Sequence, residues 1–124
     1  MAAARLEAVN LTTIDYRNSD LAIQRILSGA TGALATQFEG QRTRLGPVLT
    51  EVKSISHGSV LDAGLVRIDE TSAQALVAVD TTVSTQPAGA KKAQTQRKHL
   101  RFSMVLQKTN GRWLVADVNY AGLV

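Results

Sequence analysis

Residues 73–83, AQALVAVDTTV, decide the fold because two sets of side chains alternate along them. A period of two residues is typical of a β-strand, so Val77 and Val79 point to the same face. Asp80 falls on the opposite face. The stretch therefore predicts a strand that buries one face and leaves the other for polar side chains.

The pattern continues toward the C-terminus. Residues 100–106 alternate in the same way, and the segment from Trp113 to Tyr120 does so again. Asn110-Gly111 separates these two runs, and Asn-Gly between strand patterns is the strongest short signal for a hairpin. We therefore predict two more strands joined by a tight turn.

Upstream of residue 73, residues 52–68 also favour strand structure. They are rich in Val, Leu and Ile and are interrupted by Gly58 and Gly64. This pattern fits either two short strands or one long strand with a bulge. Residues 85–96 are polar, with Pro87 and Gly89, and predict a mobile connection.

The first fifty residues follow a helical pattern instead. Residues 2–11 are rich in Ala and predict a short helix, with Leu6 and Val9 on one face. Ser19 and Asp20 are good N-caps and predict the start of a second helix.

Two glycines predict where the second helix ends. Gly29 and Gly32 interrupt the apolar pattern, and Thr31 between them can cap a third helix. Pro47 marks the end of that third helix or a kink within it.

Helices followed by about four antiparallel strands predict one α+β domain over residues 1–124. We expect the helices to pack on a curved antiparallel sheet, as in nuclear transport factor 2-like or cystatin-like proteins. The periplasmic bridge protein of type IV secretion has a similar build. The predicted core consists of Ile23, Ile26, Leu27, Leu34, Phe38, Val77, Val79, Phe102, Met104, Trp113 and Val115.

The net charge of +4 comes from one short region. Lys91, Lys92, Arg97, Lys98 and Arg101 lie within eleven positions, and the rest of the chain has nine basic and ten acidic residues. The cluster fits either a solvated loop, over residues 87–98, or a contact with an anionic membrane. It contains no aromatic residue, so nucleic-acid binding is not expected.

The absence of cysteine excludes disulfides and thiolate metal sites. No apolar run approaches the roughly 18 residues that a membrane-spanning helix needs. The N-terminus, MAAARLEAVNL, has no long apolar core and does not read as a secretory signal.

Four segments together resemble the Mce-associated membrane proteins of actinobacteria, which are accessory proteins of Mce lipid importers. They are Val9–Tyr16 (VNLTTIDY), Leu27–Phe38 with its Gly32, Val60–Val66 around Ala63-Gly64, and Gly111–Val115 (GRWLV).

The resemblance implies a membrane helix just before this point, with residues 1–15 continuing from it. It implies an extracytoplasmic domain anchored to the cell membrane, with Mce transporter subunits as partners. It implies no catalytic residue and no cofactor, and it leaves the oligomeric state open.

A pocket between sheet and helices is common in this architecture, and chemistry there needs a base and an oxyanion donor. The candidate residues are Asp80, Asp117, Tyr16, Tyr120, His57 and His99. Asp80 and Asp117 point either into the concave side or to solvent, where each could pair with Arg101 or Arg112. The two histidines have no ligand spacing around them, so no metal site is expected.

Two functions therefore remain. The leading hypothesis is a non-enzymatic scaffold that stabilises or assembles a lipid transporter of the cell envelope. The alternative is a domain that binds a lipid or steroid-like molecule, or acts as an isomerase, through the sheet cavity. A filled interior favours the first, and a cavity with convergent polar groups favours the second.

Overall fold

The computed structural model describes residues 1–123, with the backbone alone for residues 121–123. Helical segments come first and strands follow. The helices are α1 (Ala2–Thr12), a 3-10 helix (Tyr16–Asn18), α2 (Ser19–Ser28), α3 (Gly32–Gly40) and α4 (Leu45–Glu51). The strands are β1 (Ile55–Ile68), β2 (Ser72–Thr85), β3 (Gln94–Thr109) and β4 (Arg112–Leu123).

The four strands form one antiparallel sheet in the order β1-β2-β3-β4, and this confirms the α+β prediction. Residues 55–68 form a single strand whose register shifts after Val60 and after Leu65. Each shift is an irregularity of the bulge type, which bends a strand and increases its twist. The second of the two predicted forms, a long bulged strand, is therefore correct.

The β3–β4 hairpin also follows the prediction. Asn110 has φ 51° and Gly111 has φ 78°. A two-residue turn with positive φ at both positions matches the right-handed twist of the strands, and Asn-Gly adopts it at little cost.

The helices cover one face of the sheet, here called the inner face; the opposite face is called the outer face. Helix α1 contacts all four strands. Its Ala4 and Ala8 are fully buried, as are Val77 and Val79 of β2. Because alanine is small, the helix axis lies close to the sheet.

Most of the predicted core is confirmed. Ile23, Ile26, Leu34, Val77, Val79, Met104 and Val115 are buried. Phe38, Phe102 and Trp113 are half-buried against the core. Leu27 is the exception, because it is half-buried and lines a shallow groove beside Glu39 and Gly40.

Helix and sheet approach each other very closely at the end of α1. A Cβ placed on Gly58 of β1 would lie 1.8 Å from Thr12 Oγ1. The Thr12 hydroxyl donates to the Ala8 carbonyl oxygen over 2.7 Å. Glycine at position 58 therefore lets the C-terminal turn of α1 rest on the backbone of β1.

Two helix boundaries differ from the predictions, and a third agrees in position. Helix α2 has Asn18 at its N-cap, so Ser19 and Asp20 lie in the first turn. Thr31 occupies the N-cap of α3, but its side chain makes no capping hydrogen bond. Pro47 lies in the first turn of a separate helix, α4, where proline is tolerated because the early amides have no helical acceptor.

Strand β3 begins at Gln94, so the predicted connection ends earlier than expected. Arg97 lies opposite Thr82 and Lys98 opposite Thr81 in the ladder. The Thr81 hydroxyl donates to the Lys98 carbonyl oxygen over 2.9 Å. The polar sequence misled the prediction because this end of the strand is exposed and shows no apolar alternation.

The shortened connection gives a first testable prediction. Replacing residues 87–93 by a short Gly-Ser turn should change the melting temperature by no more than about 3 °C, because the segment is exposed. A matched deletion through Lys98 removes rungs of the β2–β3 ladder and should cost several times more. Thermal denaturation followed by circular dichroism measures both, and equal losses would contradict the assigned start of β3.

Candidate functional site

Asp80 lies on the outer face and not in the concave space that the sequence suggested. Its carboxylate accepts two hydrogen bonds from Arg97, with Nε–Oδ1 3.0 Å and Nη2–Oδ2 2.7 Å. His99 Nε2 lies 3.3 Å from Oδ1. The hydrogen bonds from Arg97 hold the pKa of Asp80 below its usual range. A cross-strand ion pair was one of the predicted alternatives, but its partner is Arg97 and neither Arg101 nor Arg112.

Asp117 and Tyr120 do not join Asp80. Asp117 is exposed on the outer face, where its Oδ1 accepts from the Val118 amide over 3.0 Å. Tyr120 lies opposite Phe102 on the other face and is 58% exposed. The two rings meet edge to face, with 6.5 Å between their centroids. These three candidates therefore do not form one catalytic arrangement.

The basic residues are divided between a turn and two faces of β3. Lys91 and Lys92 lie in the exposed connection before the strand. Arg97 and Arg101 point to the outer face, and Lys98 alternates to the other side. The prediction of a solvated loop over residues 87–98 is therefore wrong for Arg97 and Lys98, whereas Arg101 lies in the strand as predicted.

Tyr16 lies in the segment that pairs with the start of β1, and His57 lies within that strand. The Tyr16 amide donates to the Ser54 carbonyl oxygen over 3.0 Å, which pairs the segment after α1 with the sheet edge. A half-open groove of about 330 Å³ separates this segment from α2. Its polar lining consists of Thr13, Asp15, Asn18, Arg25, Ser56 and His57.

Glu7 is a buried acid that the sequence did not predict. It lies on the alanine face of α1 with 1% of its surface exposed, whereas Leu6 is 62% exposed. The predicted helix is present, but Leu6 does not lie on the face that packs on the sheet. The Asn10 amide donates to Glu7 Oε1 over 3.3 Å, and Oε2 has no hydrogen-bond partner among the residues that the structure describes.

Burial raises the pKa of Glu7 from 4.5 to about 7, against the smaller lowering effect of the Asn10 hydrogen bond. The carboxyl packs on Gly29, where an added Cβ would lie 2.9 Å from Oε1. The Gly29 carbonyl in turn accepts from the Val115 amide over 2.8 Å. Glu7 thus lies where α1, the α2–α3 junction and β4 meet. The sequence signal for this buried acid is a single Glu within the alanine-rich stretch of residues 2–8.

Two kinds of feature are absent from the described residues: a metal-binding cluster and a helix that could span a membrane. Within residues 1–123, no three His, Asp or Glu side chains come together as a metal site would require. None of the helices found there combines the length and the apolar character needed to span a bilayer.

One family matches almost the whole chain. The family described as "Uncharacterized protein Rv1363c/MT1408-like" matches residues 1–122. A relative, uncharacterized protein Rv1363c of Mycobacterium tuberculosis, is 24% identical over 119 residues. The alignment covers 96% of this chain but 44% of that relative, so the chain spans less than half of the relative's length.

Three of the solved structures with a similar fold come from secretion or conjugation systems. An IcmL-like type IV secretion system protein of Legionella pneumophila gives a TM-score of 0.72 at 15% identity, with 99% of this chain and 89% of that chain covered. An NTF2-like protein involved in plasmid conjugation gives 0.67 at 14% identity, with 98% and 47% covered. The periplasmic domain of DotI gives 0.65 at 12% identity, with 97% and 91% covered. At these identities the likeness shows the fold alone, which is the NTF2-like α+β fold predicted from the sequence.

Proposed function

This chain belongs to the Rv1363c/MT1408-like family, and from the likeness of its fold to proteins of envelope secretion systems we propose that it is a non-enzymatic accessory domain of a membrane complex. Domains of the same fold occur in an IcmL-like type IV secretion system protein and in the periplasmic part of DotI. By analogy, the domain lies outside the cytoplasmic membrane and acts through protein contacts.

The observation that carries the proposal is the filled centre of the inner face. Ala4 and Ala8 of α1 press on Val77 and Val79 of β2, and all four are 0% exposed. These four side chains belong to one hydrophobic core that joins α1 to the sheet. A packed core of this kind fits a domain that works through its surface: the outer face of the sheet, its edges and its loops.

The finer proposal is that the complex is an Mce-type lipid importer. It rests on the resemblance of the segments Val9–Tyr16, Leu27–Phe38, Val60–Val66 and Gly111–Val115. We propose that a membrane anchor upstream of α1 tethers the domain. A short tether raises the effective concentration near the complex to the order of mM, so modest contacts suffice. Because α1 is part of the core, a load on the anchor reaches the sheet directly.

The groove beside α2 favours a second candidate function. It has a volume of about 330 Å³, an apolar floor from Leu21 and Ile55, and the polar groups of Arg25 and His57. A carboxylate or phosphate on an amphipathic molecule would fit this combination, since the one carboxylate in the lining, Asp15, is already paired with Arg17. This candidate places the lipid or steroid-like ligand of the alternative in a surface groove and not at the centre of the sheet.

A pull-down of the full-length, membrane-anchored protein from its native envelope tests the proposal. We expect Mce transporter subunits to co-purify, and we expect deletion of the gene to lower both subunit levels and lipid uptake. A variant with Lys91, Lys92 and Lys98 changed to Gln tests whether the basic residues contribute through anionic head groups. Full rescue of uptake by the domain without an anchor would overturn the tethering mechanism.

The paired substitutions Arg25→Ala and His57→Ala separate the two functions. An accessory domain should recover the same transporter subunits with these changes as without them. If a bound lipid extracts with the wild-type protein and is lost from this variant, while no subunit co-purifies with either, the ligand-binding function replaces the proposal.

A further inference from the structure

The outer face of the sheet carries an acid and a base on either side of a small depression. Asp62 of β1, Ala78 of β2 and Arg101 of β3 lie in one row of the ladder. The depression has a volume of about 270 Å³, and Gly64 and Leu76 contribute to its lining. Adjacent strands are about 4.8 Å apart, so Asp62 and Arg101 are separated by roughly 10 Å.

Both charges are available to a partner. Within the described residues, neither Asp62 nor Arg101 forms a salt bridge; Asp62 Oδ1 accepts only from the Ala63 amide, over 2.9 Å. The neighbouring acid differs, because Asp80 is already neutralised by Arg97.

The space between the two charges is apolar and open. Leu76 is 40% exposed at its centre. Ala78 is small, and a Cβ added to Gly64 would meet nothing within 4 Å. An apolar centre with charges at its rim is the usual composition of a protein–protein contact.

We propose that this outer face binds a second copy of the chain about a two-fold axis that runs along β2. Rotation about that axis exchanges the β1 and β3 sides of the sheet. Asp62 then faces Arg101 of the partner subunit, and Arg101 faces the partner subunit's Asp62. Leu76 meets the partner subunit's Leu76 at the centre. Each charge pair occurs twice, as in any isologous interface.

The sheet edge is a poorer surface for a second copy. The register of β1 shifts after Val60 and after Leu65, so its backbone does not offer an uninterrupted ladder. Such irregularities at edge strands discourage pairing with another chain. The outer face, with its complementary charges, is therefore the better match for a copy of the same surface.

The expected affinity is modest. On each copy, four strands about 4.8 Å apart and roughly seven residues long present about 450 Å² of face. The two copies together would bury about 900 Å², which lies at the small end for specific interfaces. A dissociation constant in the range of tens of micromolar to about 1 mM is consistent with this size. This inference stands apart from the proposed function, because it concerns contact between copies and not with a transporter.

Sedimentation velocity over a concentration series tests the interface with two charge reversals, Asp62→Arg and Arg101→Asp. Each alone places like charges opposite each other twice, so each should raise the dissociation constant at least about tenfold. The double variant should return to within about threefold of wild type. An equimolar mixture of the two single variants should dimerise well, because opposite charges then meet again at both positions.

A control reverses charges on the helical side, with Glu51→Arg and Lys53→Glu, and should leave association unchanged. Circular dichroism melts confirm that each variant is folded. Wild-type protein that stays monomeric up to about 1 mM overturns the proposal. So does a dimer that is insensitive to the reversals, or a mixture that associates no better than its two components.

Discussion

An alanine at position 58 should lower the free energy of unfolding by about 3 kcal/mol, at the upper end for an overpacked core site. The new Cβ would lie 1.8 Å from Thr12 Oγ1 and 2.6 Å from Thr12 Cβ. Neither atom can move away easily, because Thr12 is buried and its hydroxyl donates a hydrogen bond to the Ala8 carbonyl oxygen. The last turn of α1 must therefore move away from β1.

Gly64→Ala is the matched control, because it lies in the same strand with open space around it. It should change the free energy of unfolding by no more than about 0.5 kcal/mol. Urea denaturation of both variants measures the difference in the free energy of unfolding. In a thermal melt, the same loss should lower the melting temperature of Gly58→Ala by about 10 °C.

A double-mutant cycle identifies the cause. Thr12→Gly is destabilising alone, since it places glycine in a helix and removes a hydrogen bond. Combined with Gly58→Ala it should recover at least about 1 kcal/mol relative to the sum of the single changes. Additive effects, or a Gly58→Ala protein as stable as Gly64→Ala, would show that α1 does not rest on β1 as described.

The sheet could be predicted from the sequence because its signals are local. Alternation in residues 73–83 and the Asn110-Gly111 turn follow from backbone geometry alone. Both were found where they were expected. The exposed start of β3 could not be predicted, since its stability comes from pairing with β2 and its side chains carry no apolar pattern.

The inner face was harder to predict, because its key contacts use small residues. Ala4 and Ala8 are buried by the approach of α1 to the sheet, and alanine alone does not indicate which face of a helix is buried. Leu6 is more apolar, yet it lies on the exposed side.

The candidate sites failed for a related reason. A strand pattern shows which side chains share a face, but not which of the two faces the helices cover. The alternation correctly places Asp80 on the face opposite Val77 and Val79, but it does not show that the helices cover the side of the two valines. Its bidentate partner, Arg97, could not be predicted, because the polar sequence before and around that residue favours a loop.

Glu7 should make the domain less stable as the pH rises from about 4.5 to about 7. Its pKa is about 7 in the folded chain and 4.5 when it is unperturbed. Below pH 4.5 both states bind the proton, so there is no penalty. Between the two values the unfolded chain releases the proton and the folded chain keeps it. The free energy of unfolding therefore falls with pH, by about 3 kcal/mol in total for a shift of this size.

Glu7→Gln removes this dependence, because glutamine is neutral at every pH and has nearly the same shape. We expect wild type and variant to be similarly stable at pH 4. At pH 8 the variant should be more stable by up to about 3 kcal/mol. Urea denaturation at pH 4, 6 and 8 measures both proteins, and Glu51→Gln, at an exposed position on α4, is the control that should keep the wild-type slope.

The same carboxyl links pH to the seating of α1. Ionised Glu7 would be a buried charge that packs against Gly29. Among the described residues, it accepts a side-chain hydrogen bond from Asn10 alone. Hydration would relieve that charge only if α1 lifted from the α2–α3 junction. Amide hydrogen exchange in α1 should therefore accelerate more between pH 6 and 8 than the intrinsic chemistry predicts, and Glu7→Gln should abolish the excess. Equal protection of α1 in both proteins at pH 8 would mean that the charge is accommodated in place, and would contradict the raised pKa.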